Sequence, residues 1–258
     1  MNMHSRKHLK TAISVTGMSS VMAVFLVYSP GCTSPGYVGT DTCLTCHTGK
    51  LAPDRRDFVG SRHEVVGCEA CHGPGVLHAR VGGRFGLFIN EAENVDALCV
   101  RCHENESEQF STSSHAMNKI LDCTGCHNPH TKNKTIRPFT DNQLCLQCHS
   151  YNGFESVEAI TKHTWHSYDP DGSGESRCSL CHMVPMDRAD QEGSRNHSFM
   201  PVAPITSNLA EITPVPPNSC AGIIGCHDGT VVTAPTFNVD DPTTNEWLQT
   251  LYDSRYGS

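Results

Sequence analysis

The pattern Cys-x-x-Cys-His occurs six times in this chain, and no other feature restricts its folding as strongly. The copies are Cys43/Cys46/His47, Cys68/Cys71/His72, Cys99/Cys102/His103, Cys123/Cys126/His127, Cys145/Cys148/His149 and Cys178/Cys181/His182. They recur at irregular intervals of 22 to 33 residues, which argues against a stacked solenoid, whose repeats keep a fixed length. Fifteen cysteines in 258 residues leave three readings, namely a disulfide framework, a zinc protein or attached haem, and spacing separates them.

Two cysteines three positions apart sit on one helical turn, so both sulfurs reach the two vinyl groups of one porphyrin. The adjoining histidine then falls beneath the iron as its proximal ligand, which is the signature of c-type haem attachment. A single copy would suit a zinc half-site or a redox dithiol equally well. Six copies, every one followed by His, favour haem.

A stretched version follows them: Cys220 and Cys226 are separated by Ala-Gly-Ile-Ile-Gly, and His227 comes next. The two glycines let the extra residues loop out while the sulfurs stay within reach of one ring. The competing reading is a small Cys220–Cys226 disulfide beside an incidental histidine. Seven pairs would consume 14 of the 15 cysteines and leave only Cys32. The histidines balance likewise, because seven remain outside the motifs and the first 31 residues: His63, His78, His115, His130, His163, His166 and His197. One spare imidazole per iron permits bis-histidine ligation throughout and leaves no iron open for a substrate. His130 follows His127 by three residues and shares its chain path, so it is expected to serve a neighbouring iron. Met117, Met183, Met186 and Met200 are alternative ligands, although Met is more often a packing residue.

The first 31 residues read as a signal peptide, with Arg6, Lys7 and Lys10 ahead of an uncharged apolar stretch from Thr11 to Tyr28. A membrane anchor competes, but the run is at the lower limit for a span and is interrupted by polar and small residues. Ser29-Pro30-Gly31-Cys32 is similar to a bacterial lipobox, which makes Cys32 a lipidation candidate and first mature residue. Ordinary cleavage nearby is the alternative. One acylated cysteine tethers a protein to a membrane surface without spanning it. Removing this leader leaves 16 basic against 27 acidic residues, a formal net charge of −11. Non-specific nucleic-acid binding is thereby excluded, and a docking partner is expected to present a basic patch.

Only 37% of the chain is hydrophobic, with two Trp and nine Phe against 21 Gly and 15 Pro, so side chains alone make a poor core. The expected fold is mostly irregular with short α-helices, wrapped around porphyrins. Three regions are expected: the leader at 1–31, a six-haem region at 32–199, and 200–258 with a Pro-rich connector, the seventh site and a tail. In that tail Trp247, Leu248, Leu251 and Tyr252 have near-helical spacing, suited either to packing over the last haem or to a partner.

The six regular motifs, with Cys-Glu-Ala-Cys-His-Gly-Pro-Gly at 68–75 and Cys-Thr-Gly-Cys-His-Asn-Pro-His at 123–130, resemble multihaem c-type cytochromes over residues 41–230. The resemblance is to periplasmic and outer-membrane cytochromes of respiratory and metal-reducing bacteria, including partners of outer-membrane porins. It implies a multihaem cytochrome c fold with a haem-stacked core of alternating parallel and near-perpendicular pairs. The stretched seventh motif departs from that pattern, and porin-inserted members carry more haems.

Three functional classes follow. Electron transfer in an envelope respiratory or extracellular chain, without catalysis, fits the haem density and the histidine balance. Its partners would be other redox proteins and a porin or membrane surface, and its place the periplasm, the outer membrane or the cell surface. A subunit of an extracellular haem filament is the alternative, with ligands exchanged between self-associating copies. A reductase of nitrogen or sulfur oxyanions would need a five-coordinate iron.

Overall fold

Cysteines three positions apart need only one turn of helix, and the chain supplies little more than that at each motif. A computed structural model describes residues 36–47, 57–83, 95–132, 141–169, 175–191 and 193–257. The leader and Cys32 lie outside the described residues. Helix α1 spans Thr40–Leu44, α2 Cys68–His72, α3 Val76–Arg80, α4 Val95–Cys99, α5 Glu104–Ser111 and α6 Ser114–Met117. A 3-10 turn at Cys123–Gly125 carries the fourth motif, followed by α7 (Asp141–His149), α8 (Val157–Thr164) and α9 (Cys178–His182). The described chain closes with α10 (Ile205–Asn208) and α11 (Pro242–Tyr256). Among the described residues no strand forms, and the one isolated bridge joins Pro185 to Arg195. The fold is helix-poor and irregular, as the composition suggests.

Glycine sets the limits of these short helices. Gly67 and Gly73 bracket α2 at φ +80° and +77°, values that cost other residues dearly, so the helix is confined to the motif itself. The longer helices carry ordinary caps. Ser156 accepts from the Ala159 N–H at the start of α8, and Asp241 accepts from Thr243 N–H ahead of Pro242 in α11.

Side chains form only a small core. Among the described residues the buried apolar side chains are Phe58, Ile160, Val184, Ala221, Ile223, Val239 and Leu248. Ala221, Val239 and Leu248 cluster with Val215, Cys220 and Phe237, so α11 packs on the segment that carries the seventh motif. The helix expected from the Trp247/Leu248/Leu251/Tyr252 spacing thus exists, and its inward face holds Leu248 and Asn245. By contrast Val65 and Val232 are 92% and 96% exposed, an apolar surface that the protein chain itself leaves uncovered. No described helix is long and apolar enough to cross a membrane.

A buried amide network organises the C-terminal core. Asn218 donates through Nδ2 to Ser207 Oγ (3.0 Å) and Asn245 Oδ1 (3.2 Å), while its Oδ1 accepts from the Cys220 and Ala221 N–H groups. Asn245 donates in turn to Val239 O and Asn208 Oδ1, both at 2.8 Å. Removing one member strands the others out of reach of water. Asn245→Ala is therefore expected to destabilise the protein by about 2 kcal/mol, read as a lowered urea midpoint in circular dichroism. Trp247→Ala, on the half-exposed face of α11, should change it less.

Candidate functional site

Each of the six regular motifs places its histidine one turn beyond its first cysteine. The N–H groups of His47, His103 and His127 donate to the carbonyls of Cys43, Cys99 and Cys123, each at 2.9 Å. Three further motifs lie on α2, α7 and α9 themselves. Among the described residues no two cysteines are joined by a disulfide, Cys220 and Cys226 included.

The two sulfurs of a motif do not share one environment. In the first motif Cys46 is exposed while Cys43 is half-buried. The reason is local: α1 ends at Leu44, so Cys46 lies in the turn beyond it, with its N–H on Cys43 O at 3.2 Å. Its sulfur meets only the neighbouring Thr45 hydroxyl, at 3.7 Å, in the hydrogen bonds the thiol makes. Cys71, Cys102 and Cys148 are exposed in the same way, whereas Cys126 and Cys181 are half-buried. The polypeptide therefore covers the first cysteine of these four motifs better than the second.

Every motif histidine faces one spare histidine. Ring centres stand 5.8 Å apart for His47–His78 and His72–His130, and 5.9 Å for His115–His149 and His166–His227. They are 6.1 Å apart for His63–His103 and His127–His197, and 6.2 Å for His163–His182. Two imidazoles bound to opposite sides of one metal ion have ring centres about 6 Å apart, given metal–nitrogen bonds of about 2.0–2.1 Å and about 1 Å from ring nitrogen to centre. The observed spacing fits a six-coordinate iron between each pair. Among the described residues no three His, Cys, Asp or Glu side chains converge as a metal-ion site, so two imidazoles are the unit that recurs.

Electrostatics favour the neutral imidazole that ligation needs. Burial pushes His63, His115, His163 and His197 below the ordinary histidine value; the facing imidazole of His103, His149, His182 or His127, respectively, adds to this. Backbone carbonyls fix several tautomers. Nδ1 of His166, His182, His197 and His227 lies 2.6–2.8 Å from the carbonyls of Thr164, Phe199, Arg195 and Pro235. The proton is held at Nδ1 in each, which leaves Nε2 free to ligate. His163 and His166 share one device: Trp165 ends α8 in the left-handed region at φ 59°, and this turn aims the two rings at different motifs.

The stretched motif is held by side chains that sequence patterns did not single out. Gln191 donates to Gly222 O (3.0 Å) and accepts from Ile224 N–H (3.1 Å), clasping the extra residues. Gly222 has φ +85°, and a Cβ there would stand 2.9 Å from Pro217 Cα, so the loop requires glycine at that point. Burial pushes the Cys220 thiol up to about 11 and Cys181 up to about 12, far from reactive thiolates. Met186, one of the alternative ligands, accepts instead from Gln109 Nε2 through its sulfur.

Glu69 is the other unforeseen residue. Its buried carboxylate accepts from the N–H groups of Val38, Gly39 and Gly75 at 2.7–3.1 Å, tying the approach to the first motif onto the second.

The comparisons with known proteins agree with this geometry. The doubled CXXCH motif family matches residues 115–153, which contain the fourth and fifth motifs. Multiheme cytochrome MtrA of Shewanella baltica is 26% identical over 160 residues, covering 56% of this chain and 45% of that protein. C-type polyheme cytochrome OmcC of Geobacter sulfurreducens is 30% identical over 166 residues, covering 54% and 20%. Cytochrome c-type protein NrfB of Escherichia coli is 26% identical over 124 residues, covering 42% and 64%. The chain therefore spans less than two thirds of each relative. No solved structure matches it. Motifs and relatives together support a multihaem c-type cytochrome, with which the helix-poor, irregular fold is consistent, and the Cys-x-x-Cys-His segments support haem c binding.

Burial alone would push the Glu69 carboxyl up, but the three N–H donors outweigh it and hold the group below its ordinary 4.5. A depressed folded value contributes stability above the unfolded value, and that stability is lost as pH falls through the folded one. Amide protection at Val38 and Gly39 should accordingly collapse on acidification below 4.5, as read by hydrogen exchange, and Glu69→Gln should show the weakened state already at neutral pH.

Proposed function

We propose that the chain carries seven haems, one per Cys pair, each iron held between the paired histidines, and that it transports electrons along the row. The observation that carries this reading is the pairing: seven motif histidines and seven spare histidines leave none over, all at metal-bridging separation. His47, His72, His103, His127, His149, His182 and His227 would be proximal ligands, and His78, His130, His63, His197, His115, His163 and His166 their respective distal partners. Bound haem iron supplies one-electron chemistry, with bis-histidine ligation favouring a low potential.

The protein's part is to fix the order of the sites. Cys43 lies beside Cys68, Cys71 lies near Cys99 and Cys102, and Cys99 lies beside Cys123. Cys126 stands similarly near Cys148, Cys178 N–H is bound by Asn142 of α7, and Ser219 donates to Cys181 O beside Cys220. Neighbours in sequence are neighbours in space at every step, which supports a path in chain order from the first site to the seventh. Two imidazoles at each iron leave no coordination position for a substrate, so the chain acts as a carrier rather than a reductase.

Export by the N-terminal leader, with acylation at Cys32, would place this carrier in the periplasm or on the outer membrane. Other redox proteins, or a porin at the membrane surface, would be its partners. Names of the relatives, all cytochromes, agree with this setting.

Two measurements test the reading. Mature protein made with a cytochrome c maturation system should have the mass of seven haems plus lipid on Cys32; six haems with a Cys220–Cys226 disulfide would refute the seventh site. His130→Ala should leave the haem count unchanged and turn one iron high-spin, with carbon monoxide binding at one site per reduced chain. Rapid carbon monoxide binding by the unsubstituted protein would overturn the carrier assignment.

A further inference from the structure

The residues three positions before the first cysteine of the first, third and fifth motifs are Thr40, Asp96 and Asn142. Each accepts a hydrogen bond from the backbone of the motif that follows. Cys68 N–H donates to Thr40 Oγ1 at 3.2 Å, Cys123 N–H to Asp96 Oδ1 at 3.0 Å, and Cys178 N–H to Asn142 Oδ1 at 2.8 Å. The same position before the second, fourth, sixth and seventh motifs holds Val65, Ile120, Glu175 and Pro217. Three of these have no side-chain acceptor, and the Glu175 carboxylate accepts from Ser167 Oγ on the surface.

The first amides of a helix have no partner within it, and a side chain just before the helix normally supplies one. Here that local solution is missing: Gly67 before α2 and Arg177 before α9 make no side-chain cap bond. At the fourth motif Asp122 caps Gly125 N–H, leaving the Cys123 amide to Asp96. The cap is thus delivered from the preceding motif, across 27 to 36 residues of sequence.

Each link has local support. A Cβ at Gly67 would lie 2.8 Å from Thr40 Oγ1, so glycine there lets the hydroxyl approach. Asn142 also donates through Nδ2 to Ser176 O at 2.6 Å, holding the lead-in to Cys178 from two sides. Within the first two linked couples the first cysteines meet, Cys43 with Cys68 and Cys99 with Cys123. Between couples the second cysteine of the earlier motif makes the approach: Cys71 toward Cys99 and Cys102, and Cys126 toward Cys148.

We infer that Thr40, Asp96 and Asn142 are positioning residues that lock the haem sites into three couples, first with second, third with fourth and fifth with sixth. The chain is then three copies of a two-site module with a single seventh site appended. The inference rests on the motifs being haem sites. The module is out of phase with the doubled motif at 115–153, which takes the second half of one couple and the first half of the next. Capping the amide that precedes a thioether anchor fixes that anchor against the neighbouring helix. This bond helps to set the contact between the two rings of a couple.

The test uses full-length mature holoprotein and compares Thr40→Val, Asp96→Ala and Asn142→Ala with Thr40→Ser and Asn142→Asp, which keep the acceptor. Glu175→Ala is the control at the same position of the sixth motif, where the carboxylate accepts from Ser167 Oγ and caps no other motif. Haem count by mass and the Soret circular-dichroism couplet of interacting haems are the readouts. Each acceptor-deleting variant should keep its haems and lose one couple's share of the couplet. The acceptor-keeping variants should recover it, and Glu175→Ala should leave it intact. A couplet unmoved by Thr40→Val, which is near-isosteric and should fold, would overturn the proposal, as would equal loss in Thr40→Val and Thr40→Ser. Failure of the underlying haem reading would appear separately, as missing haems in the mass of the unsubstituted protein.

Discussion

The facing of each motif histidine by one spare histidine is the constraint around which this fold is arranged. The buried apolar side chains are too few, and too concentrated near Val239 and Leu248, to hold the chain together. The histidine pairs tie down what the core does not. His72 faces His130 across the third and fourth motifs, and His127 faces His197 across the fifth and sixth. Each pair joins segments that local helices are too short to connect, so under the proposed ligation metal binding and tertiary structure would be one event.

Attachment was legible in the sequence because it is local. Five residues specify both sulfurs and the adjoining ring, and the short helices Cys68–His72 and Cys178–His182 coincide with the motif itself. The tail helix was legible for the same reason, since Trp247, Leu248, Leu251 and Tyr252 repeat with helical period. How deeply each sulfur sits was not, because the exposure of Cys46 follows from where α1 stops rather than from the motif. Pairing was not legible either. His130 sits three residues from His127 yet faces His72, and His63 lies beside the second motif yet faces His103. Such partners are chosen by the path of the chain between motifs, which no short pattern encodes. Polar residues such as Glu69, Gln191 and Asn142 escaped notice because each acts on a distant backbone amide, and nothing in their own surroundings marks them.

The end of α8 concentrates several of these effects. Its last turn and the left-handed Trp165 present His163 to the sixth motif and His166 to the seventh, and α11 covers the junction. The Tyr256 hydroxyl donates to His163 O at 2.9 Å, while Arg255 lies over the Trp165 ring at 5.3 Å. The C-terminal helix thus does more than close the small apolar core. It braces the segment that supplies ligands to two neighbouring sites, so disturbance at the tail reaches both.

The pairing also has a direction in time. Synthesis and export present the chain from its N-terminus. His63, His115, His163 and His166 emerge before the motifs they face, so under the proposed ligation the third, fifth, sixth and seventh irons would meet a waiting partner as soon as their porphyrins are joined. His78, His130 and His197 emerge after theirs. The first, second and fourth irons would stand with one face open until later segments arrive, and the second must wait for His130, beyond the fourth motif. Maturation of such a chain would finish its sites in an order different from their order along the wire, and the open irons would be its most vulnerable points while it is being made.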